Sequence, residues 1–253
     1  MQTDGFEDGF WDEHQWEAHL EEVEKKSEQL RRFIASDQKG NTPRWITLLK
    51  ESLSEDDAVD AFIEEELLLD EAYFPEEDDD WEDEDDYDDE DFLFGSNDMF
   101  EDEDEEDFDA GEEWKALSED YTLSDYGSID NLHLYTLSRM FAVDLIKWAE
   151  KIPASARPPM LEEFVSHSLK IGAKLAGGYS FGFELDYLGA NIAYTKRALH
   201  FANEALKQLH ELKGYKYFTH EGYADFHRRL FEIRNDIGIY IQELRERFKY
   251  GLE

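Results

Sequence analysis

The sequence predicts an all-α protein whose C-terminal part is an antiparallel four-helix bundle, and two observations favour this fold class. Only 5 prolines interrupt 253 residues, and few stretches show the alternation of apolar and polar residues that is typical of strands. Apolar side chains recur instead at spacings of three and four, which place them along one face of a helix. We expect N-terminal helices at 1–75, a disordered acidic linker at 76–129 and the four-helix bundle domain at 130–253.

Three helices are predicted in the N-terminal region. The first covers about residues 11–35, where large apolar residues recur at helical spacing. Thr42 is the expected N-cap of the second helix, and Pro43 is expected at its first position, where a missing N–H costs nothing. The third helix follows Ser54 and Asp57, whose spacing resembles a capping box.

The third helix is expected to stop at Pro75, because proline cannot continue a helix. We expect the N-terminal helices to pack loosely on the bundle, since several large indole side chains need somewhere to be buried. These side chains are Trp11, Trp16 and Trp45.

The first two helices of the bundle are predicted from their end signals. Asp130 is the expected cap of a helix that covers about residues 131–152. The second helix begins at Pro159 and is expected to end at the pair Gly177 and Gly178. Glycine is the usual terminator of a helix, because the left-handed conformation costs it little.

The third bundle helix is expected at 184–213, with Gly214 as its stop. The fourth has the clearest pattern, a single apolar seam of the kind that antiparallel bundles bury. Its predicted members are Phe226, Leu230, Ile233, Ile237, Tyr240, Leu244 and Phe248.

Charge is distributed very unevenly along the chain, whose formal net charge is -40. Residues 76–113 hold 25 acidic residues in 38 positions and no lysine or arginine, whereas residues 130–253 hold 17 basic and 16 acidic residues. We call residues 76–113 the acidic arm and expect it to be disordered, because its self-repulsion opposes collapse. Aromatic residues interrupt it, and they either dock loosely on the protein's own bundle or fold onto a basic partner. The candidate partner-binding residues are Trp81, Tyr87, Phe92, Phe94, Phe100 and Phe108.

Composition also argues against several classes of protein. The chain contains no cysteine, which excludes disulfides and thiolate chemistry, and its acidic N-terminus does not resemble a secretory signal. No apolar run is long enough to span a membrane. Anionic lipid and nucleic acid would both repel the acidic half, so we expect a cytoplasmic protein that contacts neither directly.

No pattern supports a catalytic centre, a cofactor or a specific metal site, so we lean towards a protein that is not an enzyme. Di-iron bundles need Glu-x-x-His pairs, and none occurs; Glu163 and His167 lie four residues apart. The glycine-rich segment at 176–192 lacks the Gly-Lys-Ser/Thr of a P-loop, and a tight connection between helices is the simpler interpretation. The acidic arm lacks a calcium-binding loop, which leaves only weak, nonspecific binding of divalent cations.

Two segments resemble an uncharacterised family of bacterial proteins. They are AKLAGGYSFGFELDYLGANIAYTKRAL, with its AGG turn and its helix bearing a Gly-x-Asn-Ile-like element, and the closing EIRNDIGIYIQELRERF. The resemblance covers roughly residues 161–248; it implies a helical domain and supplies no activity. If that family has a site, the corresponding residues in this chain are Gly177, Gly178, Glu184, Asp186, Asn191 and Lys196.

The sequence leaves two hypotheses about function. The first is a non-enzymatic interaction protein that uses the acidic arm to engage a basic protein. The alternative is a small-molecule-binding or catalytic bundle with a concave pocket near the turn at 177–191, lined by Glu184, Asp186 and Asn191. The oligomeric state stays open.

Overall fold

Helices form nearly all of the described chain. The computed structural model describes the backbone of residues 11–34, 42–71 and 127–250, with the side chains of 11–26, 42–69 and 127–250. The α-helices are α1 (Glu13–Ile34), α2 (Arg44–Glu51), α3 (Glu55–Glu71), α4 (His133–Glu150), α5 (Pro159–Ser180), α6 (Leu185–Glu211) and α7 (His220–Tyr250). Two short 3-10 helices, Ile129–Asn131 and Ala154–Ala156, flank α4. The described part of the chain contains no strand. The all-α prediction is confirmed.

Helices α4 to α7 form the predicted four-helix bundle. Each packs on two of the others in a ring: α5 on α4 and α6, and α7 on α6 and α4. Short connections, such as residues 181–184, make consecutive helices antiparallel neighbours. The acidic arm with its six aromatic residues, and the predicted linker up to residue 126, lie outside the described residues.

The start of α2 lies one residue later than the sequence predicts. Pro43 has ψ of 142°, an extended value that leaves it outside the helix, so that Arg44 is the first helical residue. The capping interaction before α3 is confirmed: the Asp57 backbone N–H donates to Ser54 Oγ at 3.1 Å, and that hydroxyl donates to Asp57 Oδ2 at 2.7 Å. Described α3 ends at Glu71, and its predicted stop lies outside the described residues.

The prediction that Asp130 caps α4 is wrong. Asp130 lies inside the 3-10 helix that precedes α4, where its N–H donates to Ser128 Oγ at 3.3 Å. Helix α4 begins two residues after that short helix, at His133, without a side-chain cap. The side-chain cap in this segment is Ser128, which serves the 3-10 helix and not α4.

The prediction that Gly177 and Gly178 end α5 is also wrong. The helix continues to Ser180, and the chain turns instead at Gly182, whose φ is 79°. The stop at Gly214 after α6 is confirmed, with φ of 91°. Both turning glycines adopt the left-handed conformation, which side-chain-bearing residues rarely accept.

The apolar seam of α7 is largely as predicted. Five predicted members are buried, from Phe226 to Leu244, and Ile241 joins them. Tyr240 is only partly buried, and Phe248 is 36% exposed one turn beyond the last buried residue. These spacings of three and four keep the seam in contact with the core along most of α7.

The N-terminal helices pack on the bundle. Helix α3 lies on α5 and α4, α2 lies on α3, and α1 lies on α6. Trp45 of α2 is 2% exposed and belongs to the same apolar cluster as the bundle core, whereas Trp11 is 41% exposed. Arg139 of α4 binds Asp60 of α3: its Nε and Nη2 each donate to a carboxylate oxygen of that aspartate at 2.6 Å. Among the described residues, no helix combines the length and apolarity needed to cross a membrane.

Candidate functional site

The residues singled out by the sequence lie around the end of α5 and the first half of α6. Three of them come together in the protein interior: Gly177, Gly178 and Asn191. Glu184 and Asp186 are exposed at the start of α6, and Lys196 is partly buried about three turns further along the helix. Since Asn191 has no exposed surface, a ligand would reach it only after a rearrangement, and the three predicted pocket residues do not share an accessible surface.

The two glycines allow α5 and α6 to approach closely. A Cβ on Gly177 would lie 2.8 Å from Cε1 of Tyr194, and one on Gly178 would lie 3.1 Å from the backbone oxygen of Asn191. A distance below 3.0 Å is shorter than real Cβ contacts allow. The glycines therefore serve helix packing rather than a turn.

Asn191 connects α6 to the turn that precedes it. Its Nδ2 donates to the carbonyl of Gly182 at 2.9 Å, and its Oδ1 accepts from Thr195 Oγ1 at 3.3 Å. The hydroxyl of Tyr240 lies close by, and burial raises the pKa of that phenol. This buried polar network holds the connection between α5 and α6 in one conformation.

The expectation that the sequence contains no Gly-x-Ser-x-Gly pattern is wrong, because residues 178–182 read GYSFG. The surroundings of this pattern are those of a helix end. A nucleophile elbow places its serine on a sharp turn from a strand into a helix. Ser180 is instead the last residue of α5, and its Oγ donates to the carbonyl of Gly177 at 2.8 Å. The pattern is part of the helix terminus and gives no support to catalysis.

Lys196 belongs to a set of cations that hold α1. Its Nζ lies 2.5 Å from Glu17 and 3.6 Å from Glu13, both on α1. Arg245 of α7 donates from Nε and Nη2 to the two carboxylate oxygens of Glu13, at 2.8 and 2.7 Å. One further pair, between Arg197 and Glu24 at 3.3 Å, lies farther along α1. Acidic side chains of α1 thus meet basic side chains of the bundle along its described length.

Aromatic side chains fill the space beside these ion pairs. The ring of Trp16 packs 5.1 Å from Trp11 and 5.5 Å from Phe181, and Phe181 packs on Tyr194 at 5.5 Å. Gly189 of α6 permits this contact, since a Cβ there would lie 2.5 Å from the backbone oxygen of Trp11. We call the surface of α6 and α7 covered by α1 the α1 face; it comprises Gly189, Ala193, Tyr194, Lys196, Arg197 and Arg245.

Acid should loosen α1 in two stages. Burial lowers the pKa of His19 below 6.5, so the undocked helix takes up a proton more readily and docking weakens as the pH falls through 6.5. The hydrogen bonds from Arg245 hold the pKa of Glu13 below 4.5, so its contribution is complete above pH 4.5 and is lost as the pH falls towards the lower, docked pKa. The measurement is the opening free energy of α1 from amide hydrogen exchange, corrected for intrinsic rates.

The variant Glu13→Gln provides the control for the second stage. At neutral pH it should raise the opening equilibrium of α1 by about two- to fivefold, because it removes the charge that pairs with Arg245 and Lys196 in partly exposed contacts. Below pH 4.5 its opening should change less with pH than that of the unmodified chain. An identical pH dependence in both chains would show that Glu13 does not hold α1.

A separate groove of roughly 770 Å³ lies at the connection between α6 and α7. No acidic residue is among the described residues that line it; its polar members are His210, Lys213, Thr219, His220, Tyr223 and His227. These histidines are not among the site residues that the sequence predicts. Within the described ranges, no group of three or more His, Cys, Asp or Glu residues is arranged to hold a metal ion. In the sequence, the only sign of this groove is that its histidines, His210, His220 and His227, cluster on both sides of Gly214.

No family model, curated protein or solved structure matches the chain. The resemblance to an uncharacterised bacterial family therefore stays a prediction. What the protein does has to be inferred from its residues and their geometry.

Proposed function

We propose that the protein is a non-enzymatic interaction protein whose acidic arm engages a basic surface on a partner protein. The observation that carries this proposal is the concentration of 25 acidic residues, with no basic residue, in the 38 positions of the arm. The bundle region is nearly balanced in charge, so it serves as the folded scaffold and the arm as the part that binds. We place this activity in the cytoplasm.

The charge of the arm should raise the rate of association and select for basic partners. Closely spaced charges of one sign steer an oppositely charged partner and raise its association rate. At physiological salt these interactions decay over about 8 Å, so binding should weaken steeply as salt is added. The same charge disfavours anionic lipid and nucleic acid, which leaves basic proteins as the matching class.

The aromatic residues of the arm can add apolar binding energy to the electrostatic attraction. Large aromatic side chains contribute most of the binding energy at many interfaces, because each buries a large apolar area with few rotatable bonds. Six such residues recur within the arm, from Trp81 to Phe108. A partner should therefore offer apolar pockets among its basic residues.

An affinity capture from cell lysate tests the proposal. The baits are the full chain and a chain that lacks residues 76–113, and both are eluted with increasing salt. We expect a basic protein that only the full chain retains and that moderate salt releases. Equal capture by the two baits, or no capture by either, would contradict the proposal.

A third bait separates specific binding from simple charge attraction. It keeps every carboxylate of the arm and replaces the six aromatic residues with serine. If the aromatic residues enter pockets on the partner, this bait should release the captured protein at clearly lower salt than the full chain does. Release at the same salt would limit the arm to an electrostatic role.

A further inference from the structure

We propose that the α1 face is a binding surface for an acidic amphipathic helix, and that α1 is its resident, displaceable occupant. This goes beyond the proposed function, because the surface is basic and apolar and its partner carries the opposite charge from a partner of the acidic arm. The partner class is a helix from another protein with carboxylates spaced four residues apart beside apolar side chains.

The charges of the α1 face match such a helix. Glu13 and Glu17 are one helical turn apart on α1, so both carboxylates lie on one side of it, where they meet Lys196. Arg245 adds a two-point contact with the carboxylate of Glu13, the geometry in which arginine recognises carboxylates most strongly. Arg197 continues the row of cations towards the far end of α1.

The shape of the α1 face also fits a helix. Gly189 lets the backbone just before α1 approach α6, since any side chain there would collide with the carbonyl of Trp11 and press on the ring of Trp16. Beside it, Ala193 and Tyr194 form an apolar floor with Leu20 of α1, and Trp16 packs at its edge. An apolar helix face that packs on an apolar floor is typical of a helix-in-groove contact.

The contact that holds α1 is small compared with that of α3. In the described side chains of α1, only Leu20 and Val23 are buried apolar residues. The described part of α3 buries Ala58, Val59, Phe62 and Ile63. The ion pairs of α1 are partly exposed: in the pair of Arg245 and Glu13, 38% of the arginine side chain and 17% of the glutamate side chain are accessible. Each such pair therefore adds little to the stability of docked α1. The described part of α1 therefore has the few buried apolar contacts that are typical of segments that open locally.

A competition experiment with the full chain tests this proposal. The double variant Glu13→Lys and Glu17→Lys should release α1, because its new lysines face Lys196 and Arg245. The probe is a fluorescent synthetic peptide of unmodified residues 11–34, and its binding is followed by anisotropy. The variant should bind the peptide about tenfold more tightly than the unmodified chain, whose surface is filled by its own α1.

A matched control uses the exposed side of the same helix. The double variant Glu21→Lys and Glu22→Lys makes the same change in charge at residues that are exposed to solvent. It should bind the peptide as weakly as the unmodified chain does. A peptide that itself carries Glu13→Lys and Glu17→Lys should bind none of the chains.

Amide hydrogen exchange makes each outcome decisive. If α1 exchanges faster in the first variant while α4 to α7 stay protected, and the peptide still fails to bind, the α1 face is not a binding surface. If α1 exchanges no faster, the ion pairs do not hold it and the proposal also fails. Should the lysine variant lose protection throughout the bundle, the pair Glu13→Gln and Glu17→Gln provides the same comparison.

Discussion

Replacing Trp45 with alanine should lower the free energy of unfolding by about 3–5 kcal/mol, the usual cost of removing a large buried aromatic side chain. Trp45 is 2% exposed and belongs to the apolar cluster that includes the bundle core. The guanidinium of Arg157 lies 5.4 Å from the centre of its ring and would lose that contact as well. Urea denaturation followed by circular dichroism measures the effect.

The control for this variant is Leu53→Ala. Leu53 lies in the connection between α2 and α3 with 100% of its surface exposed, so its loss should change the free energy of unfolding by no more than about 0.5 kcal/mol. A loss from Trp45→Ala as small as the one expected from Leu53→Ala would mean that burial of the Trp45 side chain does not stabilise the fold.

The Trp45 variant also tests how the chain divides into domains. If residues 1–75 and the bundle unfold together, the amides of α4 to α7 should lose hydrogen-exchange protection in step with those of α3. Undiminished protection in α4 to α7 would instead show that the N-terminal helices unfold independently of the bundle.

Replacing Gly177 with alanine should destabilise the protein by about 1–3 kcal/mol, because it overpacks a filled interface. The new Cβ would lie 2.8 Å from the ring of Tyr194, which is itself 1% exposed, so the ring or the helices must shift. Thermal unfolding followed by circular dichroism should show a lower Tm than in the unmodified chain.

Gly238→Ala is the matched control, since this glycine lies in α7 and a Cβ added to it would have no atom within 4 Å. Alanine there should stabilise the protein by roughly 0.5–1 kcal/mol, because glycine is a poor helix former. Equal effects of the two substitutions would show that the packing of α5 on α6 does not depend on a missing side chain at residue 177.

The glycines show where sequence reasoning succeeds and where it stops. Gly214 is predicted as a stop, and its positive φ confirms the reason. Gly177 and Gly178 carry the same local signal, but close packing on α6 decides their role, and that contact joins residues of two different helices. The long seam of α7 is predictable because one amphipathic helix repeats the same signal over several turns.

The candidate site likewise combines residues that the sequence predicts with contacts that only the structure reveals. The sequence singles out Asn191 as a polar residue on a bundle helix, and the structure buries it completely. It also singles out Lys196 but not the partners of that lysine on α1, because spacing along one helix says nothing about a carboxylate on another. The pair Glu13 and Arg245 joins residues 232 positions apart, which no local pattern reveals.

The central claim is that the acidic arm binds a basic protein, and the most direct measurement is the salt dependence of that affinity. The captured protein is titrated with the full chain and with a chain whose arm carries asparagine and glutamine in place of aspartate and glutamate. We predict that the affinity of the full chain falls steeply as salt increases, and that the neutralised chain binds weakly at every salt concentration. Equal affinities with equal salt dependence would contradict the account.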